Sequence, residues 1–260
     1  MSAASQMGMF GVRQEPSEAV GRGERRLVVG DCIEVLRSLP KEEFHAMVTD
    51  PPYSRAGGAT NARRASDTLA EDMRESDQFW RHWFTDVFRG CARVLRSDAC
   101  AWIFCDWRTI GALEEAVLRS ETGWVVSQVA VWDRDGTGLG SPLRASYELI
   151  AFVRSAGFRW AGPRNVRNVF RCQWPYNGNK RQGAEKPVDL LRELVRLSCH
   201  DPATGPHRIL DPFVGSGSTL EACALEGVSG VGIEMSDIRA AVAGKRLGLS
   251  VHTADEGGRR

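Results

Sequence analysis

Residues 208–219, RILDPFVGSGST, join an apolar strand directly to a glycine turn and the start of a helix. Residues 208–211 have the composition of a short buried strand, and residues 218–225 have helical periodicity. Gly215 and Gly217 allow a tight turn whose backbone N–H groups can point at a ligand. This order of elements is typical of an open, mostly parallel α/β sheet.

Strands and helices alternate along most of the chain. The predicted strands are 27–30, 46–50, 99–105, 124–132, 147–153, 208–211 and 231–234, and the predicted helices are 32–39, 79–95, 109–118, 187–197, 218–225 and 237–246. The runs 124–132 and 147–153 look like one antiparallel pair. The pattern predicts a doubly wound, mostly parallel α/β sheet with that pair added.

The glycine turn indicates a nucleoside-containing ligand. About twenty residues beyond it Glu234 ends the next strand, where a carboxylate can accept hydrogen bonds from both ribose hydroxyls. A triphosphate loop would need lysine where Gly217 stands, and a dinucleotide fingerprint would need glycine where Leu220 stands. Asp211 would repel a pyrophosphate but attract an ammonium group. An amino acid joined to a nucleoside, as in S-adenosylmethionine, fits all of these features.

A second motif, Asp50-Pro51-Pro52-Tyr53, follows another apolar strand. One interpretation is a simple strand terminator, because prolines end strands and aspartate is common in turns. The other is chemical: an exocyclic base amine is a poor nucleophile because its lone pair is delocalised into the ring. Asp50 and a carbonyl of the Pro-Pro segment could accept its two N–H groups, while Tyr53 offers an aromatic face to a base taken out of its stack. No metal or covalent nucleophile is required.

Together these motifs resemble a known family. Asp50-Pro-Pro-Tyr53 followed by Phe213-x-Gly215-x-Gly217 is similar to the amino-methylating DNA methyltransferases, which act on N6 of adenine or N4 of cytosine. The catalytic motif comes first, as in the circularly permuted β group. The resemblance covers roughly residues 27–247 and implies a seven-stranded Rossmann-like methyltransferase sheet, S-adenosylmethionine as cofactor and DNA as partner.

The resemblance also implies roles for single residues. Phe213, Gly215 and Gly217 would contact the cofactor, with Asp211 near its methionine part, Glu234 on the ribose, Asp31 near the adenine and Lys186 near the carboxylate. For Asp31, a helix N-cap is the alternative. The His-Pro pair that the family usually has before Lys186 is absent from residues 181–185, which puts that contact in doubt.

DNA contacts are expected from two segments. Residues 154–184 contain no Asp or Glu and interleave arginines with aromatic side chains, as a phosphate-tracking surface would. The candidates there are Arg159, Arg164, Arg167, Arg171, Trp174, Lys180 and Arg181, and the loop 54–77 adds Arg55, Arg63 and Arg64. A solvated basic face and a plain disordered insertion are the alternatives. The short segment suggests a short recognition site or relaxed specificity.

Composition limits the other classes of function. The 260 residues have a formal net charge of +1, so any DNA binding must come from local patches. The seven cysteines lack metal-site spacing, and no segment resembles a signal peptide or a membrane span, which predicts reduced thiols in a bacterial or phage-encoded cytoplasmic protein. The expected layout is a flexible arm at 1–24, a catalytic domain at 25–252 with a mobile loop at 54–77 and a basic insertion at 154–185, and a flexible tail at 253–260.

Asp at position 50 favours adenine over cytosine, since relatives with Ser-Pro-Pro-Tyr more often modify cytosine. The expected activity is therefore methylation of adenine N6 in DNA, with cytosine N4 as the alternative. An RNA or protein methyltransferase and a non-enzymatic nucleic-acid-binding subunit are weaker alternatives. The sequence leaves open a homodimer, the recognition site and a role in restriction-modification.

Overall fold

The computed structural model describes residues 23–53, 77–136, 142–173, 185–199 and 207–253. The predicted arm at 1–24, the loop at 54–77 and the tail at 253–260 lie almost wholly outside these described residues. So does the last part of the predicted basic insertion, from 174 to 184.

The elements follow one another in the order that the sequence predicts. They are β1 (Arg25–Val29), α1 (Cys32–Ser38), β2 (Phe44–Thr49), α2 (Asp77–Val94), β3 (Leu95–Cys105), α3 (Ile110–Arg119), β4 (Val125–Asp133), β5 (Tyr147–Arg154), β6 (Val169–Arg171), α4 (Val188–Ser198), β7 (Arg208–Asp211), α5 (Ser218–Leu225), β8 (Ser229–Glu234), α6 (Asp237–Leu247) and β9 (Val251–Thr253).

The strands form one sheet in the order β6-β4-β5-β3-β2-β7-β8-β1-β9. In the half of the sheet that contains β3, β2, β7, β8, β1 and β9, all neighbouring strands pair in parallel. Their carboxyl ends therefore lie at the same edge, called here the carboxyl edge. The predicted antiparallel pairing of β4 with β5 is confirmed, and β5 also runs antiparallel to β3. Strand β4 therefore ends at the carboxyl edge as well.

The predicted fold class is confirmed, with two strands more than the seven expected. Both additions, β6 and β9, are three residues long and lie at the two ends of the sheet. Their pairing partners, β4 and β1, provide the hydrogen bonds that make them strands. Runs this short carry no periodicity of their own, so sequence patterns do not reveal them.

Helices cover both faces of the sheet. On one face α2 buries an apolar stripe at helical spacing, which includes Trp80, Phe84 and Phe88 and packs with α1 and α3. On the other face α4 buries Leu190, Leu191 and Leu194 against β2 and β3. Helices on both faces make the sheet doubly wound, and their packing holds the strand ends in place.

Within the described ranges, no helix combines the length and apolar content needed to cross a bilayer. In the same ranges, no three His, Cys, Asp or Glu side chains converge to hold a metal ion. The cysteine thiols are free, and most are buried.

Candidate active site at the carboxyl edge

The Asp-Pro-Pro-Tyr motif forms a compact corner directly after β2. The Tyr53 hydroxyl donates to Asp50 Oδ1 at 2.9 Å, and Lys186 Nζ donates to Asp50 Oδ2 at 2.5 Å. The indole Nε1 of Trp80 donates to the Pro52 carbonyl at 2.6 Å and so anchors the corner to helix α2. Side chains from three separate parts of the chain therefore hold the aspartate in place.

Glu148, the second residue of β5, belongs to the same cluster. Its Oε2 lies 3.2 Å from Lys186 Nζ and accepts from the Tyr53 hydroxyl at 3.3 Å. Arg134 approaches the other oxygen at 3.6 Å. Glu148 was not among the predicted site residues, although an acid near the start of an otherwise apolar strand is the kind of signal that could have found it.

Burial and neighbouring charges together set the pKa values of the groups in this corner. Desolvation raises the pKa of Asp50, against the stabilising charge of Lys186. Burial alone would lower the pKa of Lys186, but the neighbouring carboxylates of Asp50 and Glu148 outweigh it and raise that pKa. Burial also raises the pKa of Tyr53 well above its ordinary value, which keeps its hydroxyl a donor. The corner thus combines one ammonium group with two carboxylates, both acceptors of hydrogen bonds.

The glycine-turn motif lies beside this corner because β7 is the immediate neighbour of β2. The Thr49 hydroxyl, one residue before Asp50, donates to Asp211 Oδ1 at 2.7 Å. The backbone N–H of Phe213 donates to the same oxygen at 3.0 Å, which fixes the start of the turn. Thr49 and Asp211 are 162 residues apart in sequence, and their hydrogen bond holds the two motifs at one stretch of the carboxyl edge.

The turn itself requires glycine at two positions. Gly215 and Gly217 have φ angles of +50° and +86°, in the left-handed region that other residues rarely adopt. A Cβ at Gly217 would lie 2.7 Å from a methyl of Leu247, so α6 packs directly against it. Among the described residues, a Cβ at Gly215 would meet only the Phe213 carbonyl, at 3.8 Å, which leaves room there for a ligand against the backbone.

Two consecutive residues connect the turn to the catalytic corner. Glu185 pairs with Arg246 at 2.5 Å, with both side chains buried, and the same guanidinium donates to the Ser216 carbonyl at 3.1 Å. The next residue, Lys186, bonds Asp50. No sequence motif singled out Glu185 or Arg246. The Lys186 ammonium lies against Asp50 and Glu148, and its predicted place near the cofactor carboxylate stays a prediction.

The other predicted cofactor residues lie at neighbouring strand ends. The buried Glu234 ends β8, where its Oε1 accepts from the Ser236 N–H and from Arg239. The backbone N–H of Gly30 bonds the Glu234 carbonyl, which brings Asp31 to the same place. Asp31 itself caps α1 by accepting from the Ile33 N–H at 2.7 Å.

Phe213 has a packing role in addition to any ligand contact. Its ring centroid lies 5.5 Å from that of Trp83 on α2, and the side chain packs on the core under the edge. Phe213 thereby joins the turn to the same helix that holds Pro52 through Trp80.

Of the ten predicted DNA contacts, the four that fall in the described residues are not brought together. Arg171 ends β6 at the carboxyl edge, where it pairs with Asp133 at 3.1 Å. Arg159 belongs to a turn that packs against Ser97 and Ala99, near the start of β3 and far from the carboxyl edge. Arg164 and Arg167 lie in the exposed connection from that turn to β6. The predicted contacts Arg55, Arg63, Arg64, Trp174, Lys180 and Arg181 fall outside the described residues.

The chain is similar to known DNA methylases along most of its length. The DNA methylase family profile matches residues 44–244. The Escherichia coli (strain K12) protein YubD is 28% identical over 210 residues, which is 81% of this chain and 84% of that protein. The type II methyltransferase M.HinfI of Haemophilus influenzae is 23% identical over 252 residues, covering 85% of this chain and 67% of that protein.

Solved structures show the same fold. An M1.HpyAVI complex with S-adenosylmethionine aligns at a TM-score of 0.60 and 18% identity, covering 86% of this chain and 100% of that one. The PvuII cytosine-N4-specific DNA methyltransferase aligns at a TM-score of 0.63 and 16% identity, covering 90% of each chain. Since the family profile spans well over half of the 260 residues, the chain belongs to the DNA methylase family of N6- and N4-amino methyltransferases.

Proposed function

We propose that this methyltransferase transfers a methyl group from S-adenosylmethionine to N6 of an adenine flipped out of DNA. The observation that carries the proposal is the Thr49–Asp211 hydrogen bond, which holds the Asp50 corner directly beside the glycine turn. An amine gripped by the first motif and a methyl donor bound by the second would then meet in one site.

The residues around the turn suit the cofactor. Asp211 offers a carboxylate to the ammonium group, Glu234 offers one to the ribose, and the space beside Gly215 is open for close approach of a ligand to the backbone. S-adenosylmethionine supplies an electrophilic methyl group on a sulfonium. The contribution of this chain is to bind and orient the two reactants.

The catalytic corner would activate the amine through hydrogen bonding. Asp50 accepts from one N–H of the base, and because the Pro52 carbonyl already accepts from Trp80, we assign the second acceptor to the Pro51 carbonyl. These two bonds localise the nitrogen lone pair toward the methyl donor. Lys186 orients the Asp50 carboxylate, and Asp50 can take up the proton that the amine releases.

Adenine is the proposed base because Asp, not Ser, stands at position 50. YubD and M.HinfI do not decide the matter, and PvuII methyltransferase, which is cytosine-N4-specific, shares the fold. Cytosine N4 is therefore the alternative outcome of the test. The DNA contacts that the sequence predicts remain proposals, and among the described residues the position of Arg171 at the carboxyl edge supports its role.

The pH dependence of cofactor binding tests the role of Asp211. Burial raises the pKa of this carboxyl to about 6, against the bonds from Thr219 and Thr49. An ammonium ligand needs the ionised form, so affinity should level off above pH 6 and weaken about tenfold per pH unit below it. Calorimetric titration with S-adenosylhomocysteine from pH 5 to 8 measures this. Asp211→Asn should bind more weakly with no such dependence, whereas a flat wild-type profile would contradict the assignment.

Methylation-sensitive sequencing of DNA from cells that express this chain tests the function as a whole. We expect N6-methyladenine in one sequence context, and its disappearance in cells that express Asp50→Ala. Modified cytosine would instead support the N4 alternative. Unchanged DNA, with labelled methyl groups appearing in RNA or protein, would refute DNA as the substrate.

A further inference from the structure

The exposed aromatic side chains that the structure describes belong to segments next to the catalytic corner. Among the residues that the structure describes, the exposed aromatics are Phe79, Trp107 and Tyr147. Phe79 precedes Trp80, whose indole bonds the Pro52 carbonyl, and Tyr147 precedes Glu148. Large exposed apolar groups that cluster at one place mark a contact surface.

Trp107 is the most exposed of the three, at 62%, and it follows the end of β3. The last residue of that strand, Cys105, pairs with Leu149, the neighbour of Glu148. Two residues of chain span at most about 7 Å, so the Trp107 backbone lies close to the cluster around Asp50.

The turn that carries Trp107 is rigid. Asp106 Oδ1 accepts from the N–H of Arg108 at 3.0 Å and from both the N–H and the hydroxyl of Thr109 at 2.7 Å. Thr109 is fully buried at the start of α3. A flexible loop could fold an indole back onto the protein, but this turn holds it out at the edge.

The indole is also paired with a cation. The Arg108 guanidinium lies 4.3 Å from the ring centroid of Trp107, and its ion pair with Asp106 is long, at 3.7 Å. An aromatic ring stacked with arginine offers both a surface for a base and a positive charge for phosphate. Nucleic acid is the partner whose chemistry uses both features.

We propose that Trp107, held against Arg108, stacks on a DNA base next to the flipped target and so stabilises the opened duplex. The inference rests on the proposed function, because it places DNA at the carboxyl edge. Removing a base from its stack exposes the faces of its neighbours, and an aromatic side chain at that point recovers part of the lost stacking.

Fluorescence anisotropy with a fluorescein-labelled DNA duplex that carries the sequence methylated in cells, or a random sequence if none is found, tests this inference. Trp107→Ala should weaken binding about 5- to 150-fold, the range expected for one base–aromatic stack. Its salt dependence should stay as in the wild type, because stacking neutralises no phosphate. Trp107→Phe should recover most of the affinity, and affinity for S-adenosylhomocysteine should be unchanged.

Leu118→Ala is the matched control, because Leu118 is 59% exposed near the far end of α3, the helix that follows the Trp107 turn. It should bind DNA as the wild type does. Equal affinities for Trp107→Ala and the wild type would overturn the inference, even if the wild type methylates DNA. A wild type that binds DNA but transfers no methyl group would refute the proposed function, while the Trp107→Ala ratio would still decide the stacking role. A wild type that binds no DNA would overturn both.

Discussion

Replacing Asp50 by alanine is expected to slow methyl transfer by on the order of 10²- to 10³-fold, the usual effect of removing one preorganised electrostatic contact to the reacting group. The substitution removes the acceptor that Tyr53 and Lys186 hold in place. Single-turnover assays with labelled S-adenosylmethionine and duplex DNA measure the chemical step directly.

The substitution should spare cofactor binding. Affinity for S-adenosylhomocysteine should stay within about twofold of the wild type, because Asp211 and Glu234 are untouched. Asp86→Ala, which removes an exposed aspartate on α2, should keep the full rate. A rate for Asp50→Ala within a few-fold of the wild type would contradict the assigned role.

Lys186→Met is expected to destabilise the protein as well as inactivate it. Lys186 is 7% exposed, and its ammonium group lies between the carboxylates of Asp50 and Glu148. Breaking a buried pair by removing one partner costs about 3–5 kcal/mol, and we expect a loss of that order at neutral pH. Urea denaturation measures the free energy of unfolding.

The pH dependence distinguishes this mechanism from a simple packing defect. The pKa of Asp50 is already raised, and loss of the cation should raise it further. A carboxyl whose pKa is raised by folding stabilises the protein below its unfolded value and loses that contribution as pH rises through the folded value. Lys186→Met should therefore approach wild-type stability in acid and fall away toward neutral pH. Adding Glu148→Gln should restore part of the loss, and a deficit independent of pH would argue against the charge mechanism.

The sequence was most informative where local chemistry decides the structure. The runs before Asp50 and Asp211 are apolar and end in residues that stop strands, so the two motifs could be placed at strand ends without coordinates. Parallel strands then bring those ends to one edge of the sheet. The fold class and the antiparallel pair followed from the same periodicity and are confirmed.

Long-range contacts could not be predicted in the same way. Glu148, Glu185 and Arg246 have no local motif, and their partners lie far away along the chain. The sequence singles out Lys186 only because Lys186-Pro187 resembles the family's Lys-Pro pair. In the structure its ammonium group bonds Asp50, which is 136 residues away. A side chain whose role depends on the order of strands in the sheet is visible only after that order is known.

The basic segment shows a second limit of sequence reasoning. Its charge pattern suggested one continuous surface, but it follows β5, which runs opposite to its neighbours and ends away from the carboxyl edge. Arg159, the first predicted DNA contact of the segment, therefore lies far from the catalytic corner. The chain returns to the carboxyl edge at Arg171. Composition alone could not reveal this change of direction.

The most direct test of the central claim is nucleoside analysis after methyl transfer by the purified protein. Duplex DNA is incubated with methyl-labelled S-adenosylmethionine, digested to nucleosides and analysed by mass spectrometry. If the Asp50 corner and the Asp211 turn act as one site, the label will appear as N6-methyldeoxyadenosine with the wild type and will be absent with Asp50→Ala. Labelled DNA from Asp50→Ala at the wild-type rate, or no label in DNA from a wild type that binds both the cofactor and DNA, would contradict the account.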